Sequence, residues 1–106
     1  MAEDFLTTLE STIRKRRGAD PATSYTAKLF TAGRAKIAQK LGEEAVETII
    51  AAMGDDPAHL TSEATDLMFH LLVLLADAGL SLDDIRAEMM RRQGVSGVDE
   101  KAARKD

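Results

Sequence analysis

Hydrophobic residues along this chain recur at steps of three and four, and the pattern breaks at a few short stretches rich in glycine, proline or aspartate. From Asp4 to Arg17, Phe5, Leu6, Leu9 and Ile13 share one face, which predicts an amphipathic helix closed by Gly18. Asp20-Pro21 starts a turn, and Ser24 or Thr26 can cap a short helix ending near Gly33. Arg34 to Met53 reads as a long helix, stopped by Gly54-Asp55-Asp56-Pro57. Its apolar set, Ile37, Leu41, Ala45, Val46, Ile49, Ile50 and Met53, covers more than half the circumference. Such a helix is expected to be pressed from two sides, in a bundle or at a dimer interface. Gly42 inside it costs roughly 1 kcal/mol relative to alanine, which a close helix or ligand approach would offset. Pro57 opens a second long helix running to Ala78, wrapped by Leu60, Leu67, Met68, Leu71, Leu72, Leu74 and Leu75. Gly79 ends it. Ser81-Leu82-Asp83-Asp84 has the form of a capping box, with Asp where Glu or Gln is usual. It starts a last helix, to about Arg92, expected to bury Leu82, Ile85, Met89 and Met90. Residues 94–106 are rich in glycine, serine and charge and predict a flexible tail beyond a domain spanning 1–93. Helices with short connections predict an all-α, antiparallel helical bundle of four to five helices.

Composition narrows this little. At 106 residues the chain makes one small domain, and a net charge of −4 argues against a nucleic-acid partner. The basic residues are scattered, without interleaved aromatics. Without cysteine there are no disulfides and no thiolate metal sites. The acidic start Met1-Ala2-Glu3-Asp4 shows no signal peptide, and the apolar run from Leu67 to Ala76, broken by His70, is too short for a bilayer. A cytoplasmic protein without a membrane partner is expected. The run Arg14-Lys15-Arg16-Arg17 suits either a solvated helix end or phosphate binding.

The chemistry lies in acidic residues. On the first long helix Glu43, Glu44 and Glu47 share a narrow polar arc with Lys40; on the second, Glu63, Asp66 and His70 form a stripe banked by apolar residues on both sides. Should Glu44, Glu47, Glu63 and Asp66 converge to about 6 Å, each pair would repel by roughly 3 kcal/mol at an effective dielectric of about 20. The summed repulsion rivals the stability of a small domain, about 5–15 kcal/mol. Convergence therefore implies bound protons or cations; the alternative is two solvated acidic faces pointing apart. All-carboxylate ligation suits Mg²⁺ or Mn²⁺. A di-iron centre would want Glu-x-x-His, which is absent. His70, four residues after Asp66, is either a satisfied core residue or an outer-shell hydrogen-bond donor. Ser24, Tyr25, Thr26 and Lys28 could grip phosphate oxygens or serve as cap and surface residues. There is no Walker-type loop and no visible Ser/His/Asp or Cys/His arrangement.

Glu43-Glu44-x-x-Glu47, followed by Glu63-x-x-Asp66, resembles the signature of the MazG-like all-α nucleotide pyrophosphohydrolases. Ser24-Tyr25-Thr26, the stretch Gln39 to Glu47, Asp66-Leu67-x-x-His70-Leu71-Leu72 and Gly94-x-Ser96-Gly97-x-x-Glu100-Lys101-x-x-Arg104 narrow the resemblance to the phosphoribosyl-ATP pyrophosphatase family of histidine biosynthesis. Phe69 stands where that family usually has tyrosine. The resemblance implies hydrolysis of phosphoribosyl-ATP to phosphoribosyl-AMP and pyrophosphate, a Mg²⁺ cofactor and a homodimer. It implies Glu44, Glu47, Glu63 and Asp66 as metal ligands, with Glu43 and Glu47 as catalytic carboxylates that orient water. Lys28, Lys36, Arg34 and Lys40 are the nearest cations for a triphosphate, and Lys101 and Arg104 could close over the phosphoribosyl end. The rival readings are a housecleaning hydrolase of other nucleoside triphosphates and a non-catalytic dimerisation module.

Overall fold

The computed structural model describes residues 4–93, which form five helices: α1 (Phe5–Lys15), α2 (Tyr25–Ala32), α3 (Arg34–Ala52), α4 (Pro57–Asp77) and α5 (Leu82–Arg92). The expected all-α architecture is present. Local chemistry sets the boundaries. Asp4, Ser24 and Asp56 accept N-terminal amide hydrogens of α1, α2 and α4, and Pro57 takes the first position of α4. Ser81 and Asp84 complete the capping box of α5. Gly33 both ends α2 and starts α3, at φ 98° and ψ 171°, a region essentially open to glycine alone.

α3 and α4 are joined through residues 53–56 and form the most extensive helix–helix interface. The core gathers Ile13, Leu29, Ile37, Leu72, Val73 and Ala76. α4 is the hub, since it supplies three of these while α1, α2 and α3 supply one each.

The basic run at the end of α1 fits neither expected role fully. Arg17 donates to the Ala76 carbonyl and to Asp77 Oδ1, and Arg14 donates to the Leu80 carbonyl. Arg34 joins them, donating to Asp77 Oδ2 at 2.8 Å and to the Asp77 carbonyl at 3.0 Å. Three arginines thus gather at the negative end of α4, a favourable placement for cations. Arg34 is held there and not among the cations of the site.

Other expectations need correction. Leu82 and Ile85 are partly buried, but Met89 and Met90 are exposed, because only the first turns of α5 lie against the bundle. That docking rests on Glu10, which is buried and accepts the Leu82 amide hydrogen at 2.6 Å, and on Arg86, which reaches Asp4 and Thr7. On α3, Ile37 is buried and Leu41 and Ala45 partly so, while Val46, Ile49, Ile50 and Met53 stay 55–80% exposed. Among the described residues this helix is covered from one side only. A Cβ at Gly42 would meet open space among them, so no close approach there explains that glycine. The expected tail at 94–106, with Lys101 and Arg104, lies outside the described residues.

Candidate carboxylate-cluster site

The α3–α4 hairpin brings the two acidic pairs together. Glu44 and Asp66 are equally far from residue 55, as are Glu47 and Glu63, so an antiparallel hairpin turning there sets each opposite its counterpart. One carboxylate oxygen from each of Glu44, Glu63 and Asp66 lies no more than 4.8 Å from the others. Glu47 stands three residues after Glu44 on α3 and opposite Glu63 in the hairpin register, and its charge bears on both.

The electrostatics record the crowding. Burial pushes the Glu44 carboxyl above its ordinary value, helped by Glu47 and Asp66 and opposed by His70. The Glu63 carboxyl is also pushed up, first by burial and then by Glu47. Among the described residues, Glu44 Oε2 and Glu63 Oε2 are buried without a hydrogen-bond partner. Buried carboxylate oxygens left this way call for a proton or a cation. Oxygen donors of this kind are the type a hard divalent cation takes.

Around the cluster stand the remaining expected residues. His70 is buried. Its Nδ1 donates to the Asp66 carbonyl at 2.7 Å, because a carbonyl only accepts. In the neutral ring, Nε2 then accepts the Tyr25 hydroxyl at 2.9 Å. The two sequence readings of His70 therefore meet in one residue, a satisfied buried histidine that also braces the backbone of Asp66. Tyr25 and Phe69 stack with centroids 6.3 Å apart, and His70 meets both rings edge-on.

Tyr25, Lys28, Lys36 and Lys40 line a cavity of about 260 Å³ between α2 and α3. Lys40 Nζ lies 3.4 Å from Glu43 Oε1, and its pKa is raised first by Glu43, then by Tyr25 and Glu44. Glu43 is exposed and also accepts from Gln39 at 2.8 Å, which pulls its carboxyl below the ordinary value, with Lys40 adding to the effect. It stands beside the lysines and not within the cluster. Ser24 is the α2 cap, accepting the Ala27 amide hydrogen at 3.1 Å, and Thr26 sits partly buried in the first turn.

One neighbour escaped the sequence reading. His59 Nε2 lies 3.5 Å from Glu63 Oε1, one helical turn before it. The four-residue spacing was the available signal.

Five helices around an acidic α3–α4 hairpin, with no strand among the described residues, define a MazG-like all-α protein. Within that class the chain belongs to the phosphoribosyl-ATP pyrophosphohydrolase family, whose description matches residues 6–93. It is 65% identical to a phosphoribosyl-ATP pyrophosphatase of Rhizorhabdus wittichii, over 91% of each chain. It is 57% identical to that of Zymomonas mobilis, over 98% of this chain and 97% of the relative. With the Azospirillum brasilense protein of the same name it shares 54% identity over 99% of each.

Proposed function

We propose that this chain hydrolyses the α–β phosphoanhydride of phosphoribosyl-ATP, releasing phosphoribosyl-AMP and pyrophosphate, in the second step of histidine biosynthesis in the cytoplasm. The observation that carries the reading is the pair of buried, unpartnered oxygens on Glu44 and Glu63 beside Asp66. Glu44, Glu63 and Asp66 hold Mg²⁺, with Mn²⁺ as a substitute and Glu47 completing the set. Bound there, the ion supplies charge neutralisation on the departing pyrophosphate and a lowered pKa for the attacking water.

The chain's own residues do the rest. Glu47, next to both Glu44 and Glu63, orients the water and takes its proton. Glu43 fixes the Lys40 ammonium at the edge of the lysine cavity. Lys28, Lys36 and Lys40 hold phosphate oxygens, with Tyr25 at the cavity wall. Ser24 and Thr26 shape the start of α2. His70, through Asp66 and Tyr25, keeps the cation side and the phosphate side in register.

The enzyme acts as a homodimer. Val46, Ile49, Ile50 and Met53 form an exposed apolar stripe at helical spacing, and Gly42 continues it with no side chain to obstruct a second copy.

Product analysis tests the reading. With phosphoribosyl-ATP and Mg²⁺, phosphoribosyl-AMP and pyrophosphate appear in equal amounts, and chelation abolishes both. Glu47→Gln lowers kcat by about 10²–10³-fold, the usual scale for losing one preorganised polar group, with the helical spectrum kept. Faster turnover of dUTP or the common triphosphates would assign the chain to the housecleaning hydrolases instead.

A further inference from the structure

A second cavity, of about 350 Å³, opens between α1 and α4, with Phe69 of the Tyr25–Phe69 stack in its wall. Phe5, Leu6 and Leu9 of α1 face Thr65, Asp66 and Phe69 of α4 across it. No residue assigned above to phosphate or cation lines it except Asp66. Its size falls within the range of small-molecule sites, about 300–1,000 Å³.

The two cavities are chemically opposite. Tyr25 walls the lysine-lined one and Phe69 walls the apolar one, and these two rings stack on each other. Asp66 of the acidic cluster lines the apolar cavity, and Lys40 in the wall of the other is four residues before Glu44 on α3. A nucleotide has the same division, anionic at its phosphates and apolar on the flat faces of its base, and in phosphoribosyl-ATP the second ribose phosphate leaves from the edge of that base. We infer that the α1–α4 cavity is the purine subsite, with the base against Phe5 and Phe69 while the phosphates extend over the cluster toward the lysines. Thr65 adds a polar point. Its hydroxyl proton is committed to the Thr61 carbonyl at 2.7 Å, so toward a base it acts as an acceptor for an exocyclic N–H. This assignment rests on the hydrolase reading above.

Phe5 provides the test because it is 72% exposed and the fold does not depend on it. Phe5→Ala should raise KM for phosphoribosyl-ATP at least about 5-fold, the low end of what one lost base–aromatic stack costs, with kcat within about twofold. Inhibition by inorganic tripolyphosphate, which has no base, should be unchanged. The chain contains no tryptophan, so Phe5→Trp carries the only indole. Adenosine should quench its emission, ribose 5-phosphate should not, and KM should return toward that of the unmodified chain. The adenosine titration needs no turnover, so it reports on the subsite even if phosphoribosyl-ATP proves not to be the substrate. An unchanged KM in Phe5→Ala, emission blind to adenosine, or a tripolyphosphate response that moves with KM overturns the assignment. So does a change of oligomeric state in Phe5→Ala, which would make the groove a contact between two copies.

Discussion

Glu44 shows how one carboxyl can report on the cluster before any substrate is added. Its pKa and that of Glu63 are raised above 4.5, by burial first and then by neighbouring carboxylates. A carboxyl raised on folding stabilises the native state fully below its unfolded value and stops doing so as pH climbs through the raised value. Without a cation, these two groups therefore make the protein less stable on going from pH 4 toward pH 7. Glu44→Gln removes one of the repelling charges while keeping the shape. In a chelator at pH 7 the variant should melt above the unmodified chain, and the gap should close at pH 4. Added Mg²⁺ should raise the melting temperature of the unmodified chain and leave the variant nearly unmoved. A variant that melts lower than the unmodified chain under chelation at pH 7 would show that Glu44 is not in a repulsive cluster. The residue types of this site were readable in the sequence because carboxylates at three-residue steps share a helix face. The bond from Tyr25 to His70 was not, because Tyr25 lies 45 positions away and nothing local links them.

At the scale of elements, Gly33 governs how the lysines meet. It joins α2 to α3 with no intervening residue, so its backbone angles set the crossing that puts Lys28 opposite Lys36 and Lys40. A Cβ there has room, but φ of 98° is strained for any other residue. Gly33→Ala should destabilise the fold by about 1–3 kcal/mol in urea unfolding and weaken substrate binding with it. Normal stability would mean that the α2–α3 angle relaxes freely and is not the element that shapes the cavity. All five helices stand within a few residues of their expected ends, since each boundary is a cap, a glycine or a proline acting over one turn. The end of α5 was misjudged for a related reason. A methionine at helical spacing announces an apolar face, but whether another helix covers that face is not a local property.

For the whole molecule, the question is what covers α3. Four large apolar side chains along one stripe remain more than half exposed, an arrangement that soluble monomers seldom keep. Ile50→Lys should leave the helical content unchanged, because Ile50 is 64% exposed, and should convert a dimer into monomers in sedimentation equilibrium. A monomeric unmodified chain at micromolar concentration would remove the dimer from the proposal.

Hydrophobic period, caps and breakers act within a turn or two, so the helices, their order and the acidic faces they present were already written in the chain. So was the register of the α3–α4 hairpin, because the acidic residues are spaced evenly about residue 55. Which faces meet and which stay open was settled by packing. Packing sent Arg14, Arg17 and Arg34 to the end of α4, separated Glu43 from the cluster, and placed the stacked rings of Tyr25 and Phe69 in the walls of two unlike cavities. The physical reason is that these outcomes depend on distances between residues remote in the chain, which packing fixes and local propensity does not.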